Sequence, residues 1–277
     1  MNVIGLGGVG SRIAAQFEKY PQYNVVCVDH DQQVERTIRI KKHNDPEAYE
    51  STNIDLTLLY GCLTSDDVIM IVSGGSLVSA LSLRILEGIK DRNITIVSVE
   101  ADPVTLSHKK ALNQKVVTNV LQHFTRSGKF ERIYLINNQK VEEIAGELPI
   151  IGYWDQINVL IANTLHMINV YRNNSPIMGS LDQPTETNRI STIGIKSLED
   201  DVKKMFYGLA NVREESYIYA ISEARLSKSN DLLKRAKEEV KSNTTETKTV
   251  SFSFYPTKYD RDLVYVLEHT SFVQEQR

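Results

Sequence analysis

The amino terminus most constrains what this chain can fold into, because it sets a glycine-rich turn between two elements of regular structure. Asn2-Val3-Ile4 is a short apolar segment typical of a buried strand, and the spacing of Ile13, Ala14 and Phe17 predicts a helix. Gly5-Leu6-Gly7-Gly8-Val9-Gly10-Ser11 joins them. Glycines let backbone N–H groups approach a ligand closely, and a helix amino terminus favours an anion. The stretch predicts a phosphate-binding turn that opens an α/β domain, with simple packing of helix on strand as the alternative.

Strand and helix patterns alternate through the first half of the chain. Apolar, β-branched segments predict four further strands, at Asn24–Asp29, Val68–Val72, Ile94–Val99 and Ile133–Ile136. Helical patterns lie between them, the longest at Ser107–Arg126. This alternation predicts a parallel sheet with helices on both faces, whose ligands bind beyond the carboxyl ends of the strands. The residues at those ends are small or polar: Asp29, Asp31, Ser73 to Ser76, Asp102 and Asn138.

The second half begins with a long helical pattern over Tyr153–Val170, followed by a polar linker, Asn173–Thr187. Beyond the linker the patterns predict a smaller α+β unit. Its predicted elements are a helix at Leu198–Leu209, a strand at Tyr217–Ala224, a helix at Asn230–Lys241 and a hairpin of Val250–Tyr255 with Asp262–Leu267. We therefore expect a nucleotide-binding domain over 1–150, a central helix over 151–172 and a C-terminal domain over 173–277.

Composition narrows the expected partners. The 277 residues carry a formal net charge of −3, so no basic footprint for nucleic acid is evident, and no apolar run reaches the length of a membrane span. Cys27 and Cys62 are the two cysteines, and their apolar surroundings predict reduced thiols in a cytoplasmic protein. We expect neither a metal site built from protein side chains nor a catalytic arrangement of the scattered histidines.

Four segments fall where the predicted strands end, and their sequences resemble those of one known group of proteins. Gly5–Ser11 resembles a loop G-x-G-G-x-G-G, Val28–Gln32 a segment N-T-D-A-Q, and Ser73–Ser79 a signature G-G-G-T-G-T-G. Leu135–Lys140 is similar to I-P-N-D-K, and Pro103 begins a matching turn. These motifs and the order of domains resemble the tubulin/FtsZ superfamily over nearly the whole chain.

The resemblance implies that GTP or GDP is the ligand, with Mg²⁺ as a candidate companion. Implied nucleotide ligands are Gly5, Gly7, Gly8, Gly10, Ser11, Asp31, Gly74, Gly75, Ser76, Asn138, Trp154 and Asn158. The last three would hold the base. Trp154 and Asn158 are four residues apart and share one helix face, which suits stacking combined with hydrogen bonding. A core anchor is the alternative role of Trp154.

The resemblance also implies head-to-tail self-association, into a homopolymer or ring, because carboxylates of one subunit act on the nucleotide of the next. Asp201 matches one of the two carboxylates, with Glu199 as its helper, while Leu198 occupies the place of the other. Ser73, Leu77 and Ser79 replace glycines of the signature loop. We therefore expect slow or absent GTP hydrolysis in a reduced member of the kind encoded by phages or plasmids. Charge that complements a helix dipole is the alternative reading of the acidic triplet at 199–201.

Two other classes stay open at this point. One is a non-enzymatic structural or assembly protein, such as a phage protein, that keeps a degenerate tubulin-like fold. The other is a ubiquitin-activating-like or NAD-binding Rossmann protein, which Gly5–Ser11 together with Asp29, Asp31 and Glu35 also resembles. That second resemblance ends early, because Arg39 is followed by Ile40 where the ubiquitin-activating family needs glutamine.

Overall fold

The computed structural model describes residues 1–52, 54–199, 202–259 and 262–275. The chain divides into two compact units, which we describe one at a time. The first comprises Met1–Asn163 with Val273–Arg277, and the second comprises Thr164–Phe272. The boundary falls inside the long helix Tyr153–Arg172.

A parallel sheet forms the centre of the first unit. Its strands are β1 (Asn2–Leu6), β2 (Asn24–Asp29), β3 (Thr37–Arg39), β4 (Asp67–Ser73), β5 (Asn93–Glu100) and β6 (Arg132–Asn137). Their order is β3-β2-β1-β4-β5-β6, and every neighbouring pair is parallel. The central strands β1 and β4 are buried almost end to end, as expected of strands covered on both faces. The predicted parallel sheet is therefore confirmed.

Helices follow these strands. They are α1 (Gly7–Ala15), α2 (Pro46–Glu50), α3 (Leu56–Cys62), α4 (Ser82–Gly88), α5 (His108–Arg126), α6 (Asn138–Ala145) and α7 (Tyr153–Arg172). The segment Leu77–Lys90, predicted as one helix, starts as a 3₁₀ turn over Leu77–Leu81 and continues as α4. Strand β3 and helices α2, α3 and α6 carry patterns too short for sequence periodicity to predict.

The second unit contains a mixed sheet. Its strands are β7 (Met178–Gly179), β8 (Ile190–Lys196), β9 (Lys204–Met205), β10 (Glu214–Ser222), β11 (Thr249–Thr257) and β12 (Leu263–Thr270), and its helices are α8 (Glu223–Leu226) and α9 (Leu232–Asn243). The order is β8-β12-β10-β11-β7, with β9 beside β8. Helix α9 buries Leu232 and Ala236 in a core that includes Tyr217 of β10 and Phe254 of β11.

Two predictions for the second unit are wrong. No described residue of Leu198–Leu209 is helical, because the backbone pairs with β8 instead: Lys204–Met205 forms β9 and the N–H of Phe206 donates to Ile193 at 2.8 Å. The hairpin is absent because β11 and β12 lie on opposite sides of β10. Helix α9 connects β10 to β11, and a crossover of that length allows parallel pairing.

Candidate nucleotide site

The glycine turn after β1 leads directly into α1. Gly7, the first helical residue, has φ +68°, a left-handed conformation that glycine adopts without strain. Leu6 precedes it in an extended conformation and offers no side-chain cap. The first N–H groups of α1 therefore have no capping side chain, and they carry the positive end of the helix dipole. This end of α1 is suited to bind an anion.

The glycines of this turn divide into two kinds. A Cβ on Gly5 would lie 2.6 Å from Ser11 Cα, and one on Gly10 would lie 2.4 Å from the Ile71 carbonyl oxygen. Both glycines allow α1 to pack closely on the sheet. A Cβ on Gly8 would meet nothing within 4 Å. Gly8 therefore lies next to open space, where a ligand has room.

The second glycine loop, Gly74–Ser76, lies next to the first. A Cβ on Gly7 would be 3.0 Å from the Ser76 hydroxyl oxygen. The N–H groups of Gly74 and Ser76 donate within the protein, to the carbonyls of Val99 and Ser73 at 3.3 and 3.1 Å. Ser76 therefore offers its hydroxyl beside the α1 amino terminus, while its backbone N–H is already used.

Two side chains of α5 hold the backbone at this edge of the sheet, Asn113 at the Gly74–Ser76 loop and Gln114 at Ala101 after β5. Asn113 Nδ2 lies 3.0 Å from the Gly74 carbonyl, 3.1 Å from the Ser76 carbonyl and 2.9 Å from the Ser79 hydroxyl. Gln114 accepts from the N–H of Ala101 at 2.9 Å and donates to its carbonyl at 3.1 Å. Sequence reasoning missed both amides. The signal was two adjacent amides on a face of α5 that the structure buries.

Ser11 and Asp29 are used within the fold. The Ser11 hydroxyl is buried and donates to the Gly5 carbonyl at 3.3 Å, which secures the turn. Asp29 is buried and accepts from the N–H of His30 at 2.8 Å. His30 Nε2 in turn lies 2.6 Å from the Tyr49 hydroxyl. Asp31, two residues further on, is exposed and is the carboxylate of this strand end that a ligand can reach.

The three residues predicted to hold a base lie on α6 and α7. Asn138 begins α6, and no hydrogen-bond partner among the described residues reaches its buried Oδ1 atom. Asn158 is buried on α7, whereas Trp154 is half exposed and meets the ring of Tyr153 edge to face, with centroids 5.3 Å apart. The Tyr153 hydroxyl donates to Glu142 of α6 at 3.0 Å and ties the two helices together at this point.

The two predicted catalytic residues are placed differently. Asp201 lies outside the described residues. Glu199 follows β8 in a turn, where it forms an ion pair with Arg225, and Arg225 also binds Asp262 at 3.1 Å. Glu199 therefore already has a cationic partner within its own subunit, which it shares with Asp262. Asp182, an exposed carboxylate in the segment that follows α7, accepts from the nearby Ser180 hydroxyl at 3.0 Å.

A buried ionic cluster lies close along the chain to the acidic triplet. Lys203 Nζ is 2.6 Å from Glu215 and 3.0 Å from Glu268, two carboxylates opposite each other on β10 and β12. Lys248 adds a 2.7 Å contact to Glu215. Burial favours the neutral acid, but the hydrogen bonds from both lysines outweigh it and lower the pKa of Glu215. At Glu268 burial prevails and raises the pKa.

Comparison with solved structures identifies the fold. TubZ of Bacillus thuringiensis serovar israelensis, in a GTPγS-form protofilament, superposes with a TM-score of 0.74 at 14% identity, covering 97% of this chain and 87% of TubZ. CetZ2 from Haloferax volcanii, in a GTPγS-bound protofilament, gives 0.73 at 15% identity, covering 96% and 92%. An empty FtsZ dimer of M. jannaschii gives 0.70 at 13% identity, covering 97% and 87%.

The chain therefore has the fold of the tubulin/FtsZ superfamily, as the resemblance of its motifs implied. No family profile matches its sequence, and no curated protein is significantly similar to it. The structural matches extend through both units, whereas the dinucleotide-binding and ubiquitin-activating resemblances concern only the first strands. Within the described residues, every helix is too short or too polar to cross a bilayer.

Proposed function

We propose that this chain is a tubulin-like protein that binds a guanine nucleotide, associates head-to-tail with copies of itself, and hydrolyses GTP slowly or not at all. The observation that carries the proposal is the open space at Gly8 beside the uncapped amino terminus of α1. Backbone N–H groups and a helix dipole at such a place favour phosphate. The Ser76 hydroxyl lies next to Gly7 and adds a side-chain hydrogen-bond donor for the phosphate, independent of any glycine backbone N–H.

A purine base fits the groups on α6 and α7. A buried amide oxygen without a partner is unfavourable by about 1–3 kcal/mol, and a donor on a ligand relieves that cost. The Asn138 Oδ1 atom meets this description. The guanine ring offers N–H donors to it, and the exposed face of Trp154 offers a surface for stacking. In this proposal Asn158, buried four residues after Trp154, completes the contacts to the base.

Bound GTP supplies the phosphoanhydride bond, which breaks when water attacks the γ-phosphorus and GDP leaves. Mg²⁺ would be held chiefly by the phosphates and water, with Asp31 as the exposed carboxylate of the site. In this proposal, a carboxylate of a neighbouring copy orients the attacking water. Because Glu199 pairs with Arg225, we assign this task to Asp201 alone. Loss of a positioned acid–base group typically reduces a rate by about 10²–10⁴-fold, which agrees with slow turnover.

The test combines assembly with hydrolysis. Purified protein is examined by sedimentation and electron microscopy with GTP, with GDP and without nucleotide, while phosphate release is followed in parallel. Filaments or rings with GTP, and slow release that Asp201→Ala abolishes, are the expected results. Asp182→Ala is the matched control, since this acid follows α7 and is exposed. Rapid hydrolysis by a strictly monomeric protein would contradict the proposal. Loss of turnover only in Asp182→Ala would move the catalytic role to that residue.

One observation favours a second candidate, a structural protein that assembles without nucleotide. The N–H groups of Gly74 and Ser76 are bonded inside the protein, so this loop offers fewer backbone donors to a phosphate. Ordered assembly in nucleotide-free buffer, unchanged by Gly8→Glu, would support the structural role. Assembly that requires GTP and disappears in Gly8→Glu would support the nucleotide-dependent one.

A further inference from the structure

Helix α5 leaves a row of apolar side chains uncovered, which we call the α5 stripe: Leu112, Val116, Val120 and Phe124. They recur at every fourth residue, with Leu112 56%, Val116 52% and Phe124 41% exposed. The buried face of α5 is instead rich in polar side chains: Asn113, Gln114, Thr118, Gln122 and Thr125. A surface helix normally buries its apolar side, so a row exposed in this way marks an interaction surface.

The charge around the α5 stripe has one sign. Lys109 and Lys115 are exposed and lie three residues before and three residues after Leu112, so both are its neighbours on the helix surface. Among the described residues neither has an acidic partner, and the sequence from Pro103 to Phe130 contains no Asp or Glu. The matching surface should therefore be apolar and acidic.

The chain itself carries such a surface in the loop between α6 and α7. Pro149-Ile150-Ile151, which we call the apolar knob, protrudes so far that both isoleucines are 92% exposed. Gly146 and Gly152, each with positive φ, flank the loop. The bond from Tyr153 to Glu142 closes its base. The knob is therefore held in place rather than free at the end of a long segment.

Acidic residues flank the knob. Glu147 precedes it and Asp155 follows it, and both are exposed. Neither forms an ion pair with any described residue, whereas Glu143 nearby is already paired with Lys140 at 2.8 Å. The knob therefore presents protruding apolar side chains next to negative charges that have no ion-pair partner in the described part of the chain. These features match the apolar side chains and the positive charges of the α5 stripe.

We propose that the apolar knob of one copy docks on the α5 stripe of a second copy. Ile150 and Ile151 would cover Val116 and its neighbours, with Glu147 and Asp155 facing Lys109 and Lys115. Because the two patches differ, the contact is heterologous and extends through successive copies unless its rotation closes a ring. It needs no nucleotide and does not rest on the proposed function.

Crosslinking between two singly substituted proteins tests this contact. Ile151→Cys and Val116→Cys are made separately in a Cys62→Ser background, because Cys27 is buried. The two proteins carry tags of different size and are mixed without nucleotide, then treated with a short bis-maleimide. We expect the mixed dimer and little of either homodimer. Homodimers alone, or no dimer, would overturn the proposal. The same result in Gly8→Glu shows that the contact is separate from the nucleotide site.

Charge reversal provides the second arm. Glu147→Lys with Asp155→Lys on the knob should abolish the mixed dimer. Pairing that protein with a stripe that carries Lys109→Glu and Lys115→Glu should restore it. Failure of the restoration would overturn the proposal. A membrane surface is the other occupant that would suit a basic, apolar helix face, and flotation with phosphatidylglycerol vesicles tests it. Vesicle binding that Val116→Ser removes, without any mixed dimer, would assign the stripe to a membrane surface instead.

Discussion

The side-chain amide of Asn113 donates to the carbonyl of Gly74 at 3.0 Å, so a helix side chain holds the loop that glycines alone were expected to shape. Asn113→Ala leaves the buried carbonyl of Gly74 and the partly buried carbonyl of Ser76 without this donor. We expect it to lower the free energy of unfolding by about 1–3 kcal/mol and to weaken GTP binding. Chemical denaturation and a binding titration measure the two effects. Asn119→Ala, an exposed amide on the same helix, is the control and should change neither.

The two kinds of glycine in the first turn give a paired prediction. Gly8→Ala should fold normally and gain up to about 1 kcal/mol, because alanine favours a helix and its Cβ meets open space. Gly10→Ala should lose about 1–3 kcal/mol or more, because its Cβ would lie 2.4 Å from the Ile71 carbonyl oxygen. Thermal unfolding of both variants checks this order. Equal stability of the two would show that Gly10 is not a packing glycine.

Gly8→Glu separates ligand binding from folding. The added side chain has room at this position, but its carboxylate would occupy the proposed phosphate site. We expect an unfolding midpoint close to that of the wild type and no detectable GTP binding, since like charges repel in a site built for an anion. Retained binding in a folded variant would exclude this end of α1 as the phosphate site.

The ionic cluster at Lys203 gives a pH-dependent prediction. Lys203→Met leaves Glu215 and Glu268 facing each other without this cation and should cost about 3 kcal/mol at neutral pH. The folded-state pKa of Glu268, already raised by burial, then rises further, and that of Glu215 rises relative to the wild type although Lys248 still bonds it. The folded variant therefore binds more protons than the folded wild type, and the deficit shrinks as the pH falls. In the wild type, the lowered pKa of Glu215 stabilises the folded state at neutral pH. That contribution is lost as the pH falls and Glu215 becomes protonated.

Unfolding by denaturant at about pH 8 and about pH 5 measures the difference between Lys203→Met and the wild type at each pH. Lys237→Met, an exposed lysine of α9, controls for loss of charge. A deficit that stays the same or grows at the lower pH would mean that the two carboxylates do not govern the effect.

Sequence patterns predicted the first unit well because its strands are continuous apolar runs that end in small or polar residues. The segment Asn24–Asp29 was predicted with the bounds that the structure gives. The second unit was harder, because pairing between distant strands overrides local pattern. The stretch after β8 has helical spacing in Leu198 and Val202, yet Lys204 and Met205 pair with β8. Strand order around β10 depends on the α9 crossover, which no short motif encodes.

The positions of the candidate site residues at the strand ends were predictable to a similar degree, whereas their role in binding stays a prediction. Residue type and position after each strand gave the glycine turns and Asn138. The sequence could not distinguish Gly8, which borders open space, from Gly10, which packs against Ile71, because both follow the same pattern. Nor could the sequence show that the Asn113 side chain bonds the backbone of the Gly74–Ser76 loop. A buried amide and an exposed amide look alike in a helical pattern.

Trp154 is the chain's single tryptophan and is 51% exposed, so its fluorescence reports directly on the proposed base contact. Titration of the purified protein with GTP, ATP and NAD is the most direct test of a guanine-nucleotide site. We expect saturable quenching by GTP and weaker effects of ATP and NAD, with binding reduced about tenfold in Trp154→Ala but largely kept in Trp154→Phe. Because both variants lack the tryptophan, their GTP binding is measured by calorimetry. No binding of GTP, or equal or tighter binding of ATP or NAD, would contradict the account.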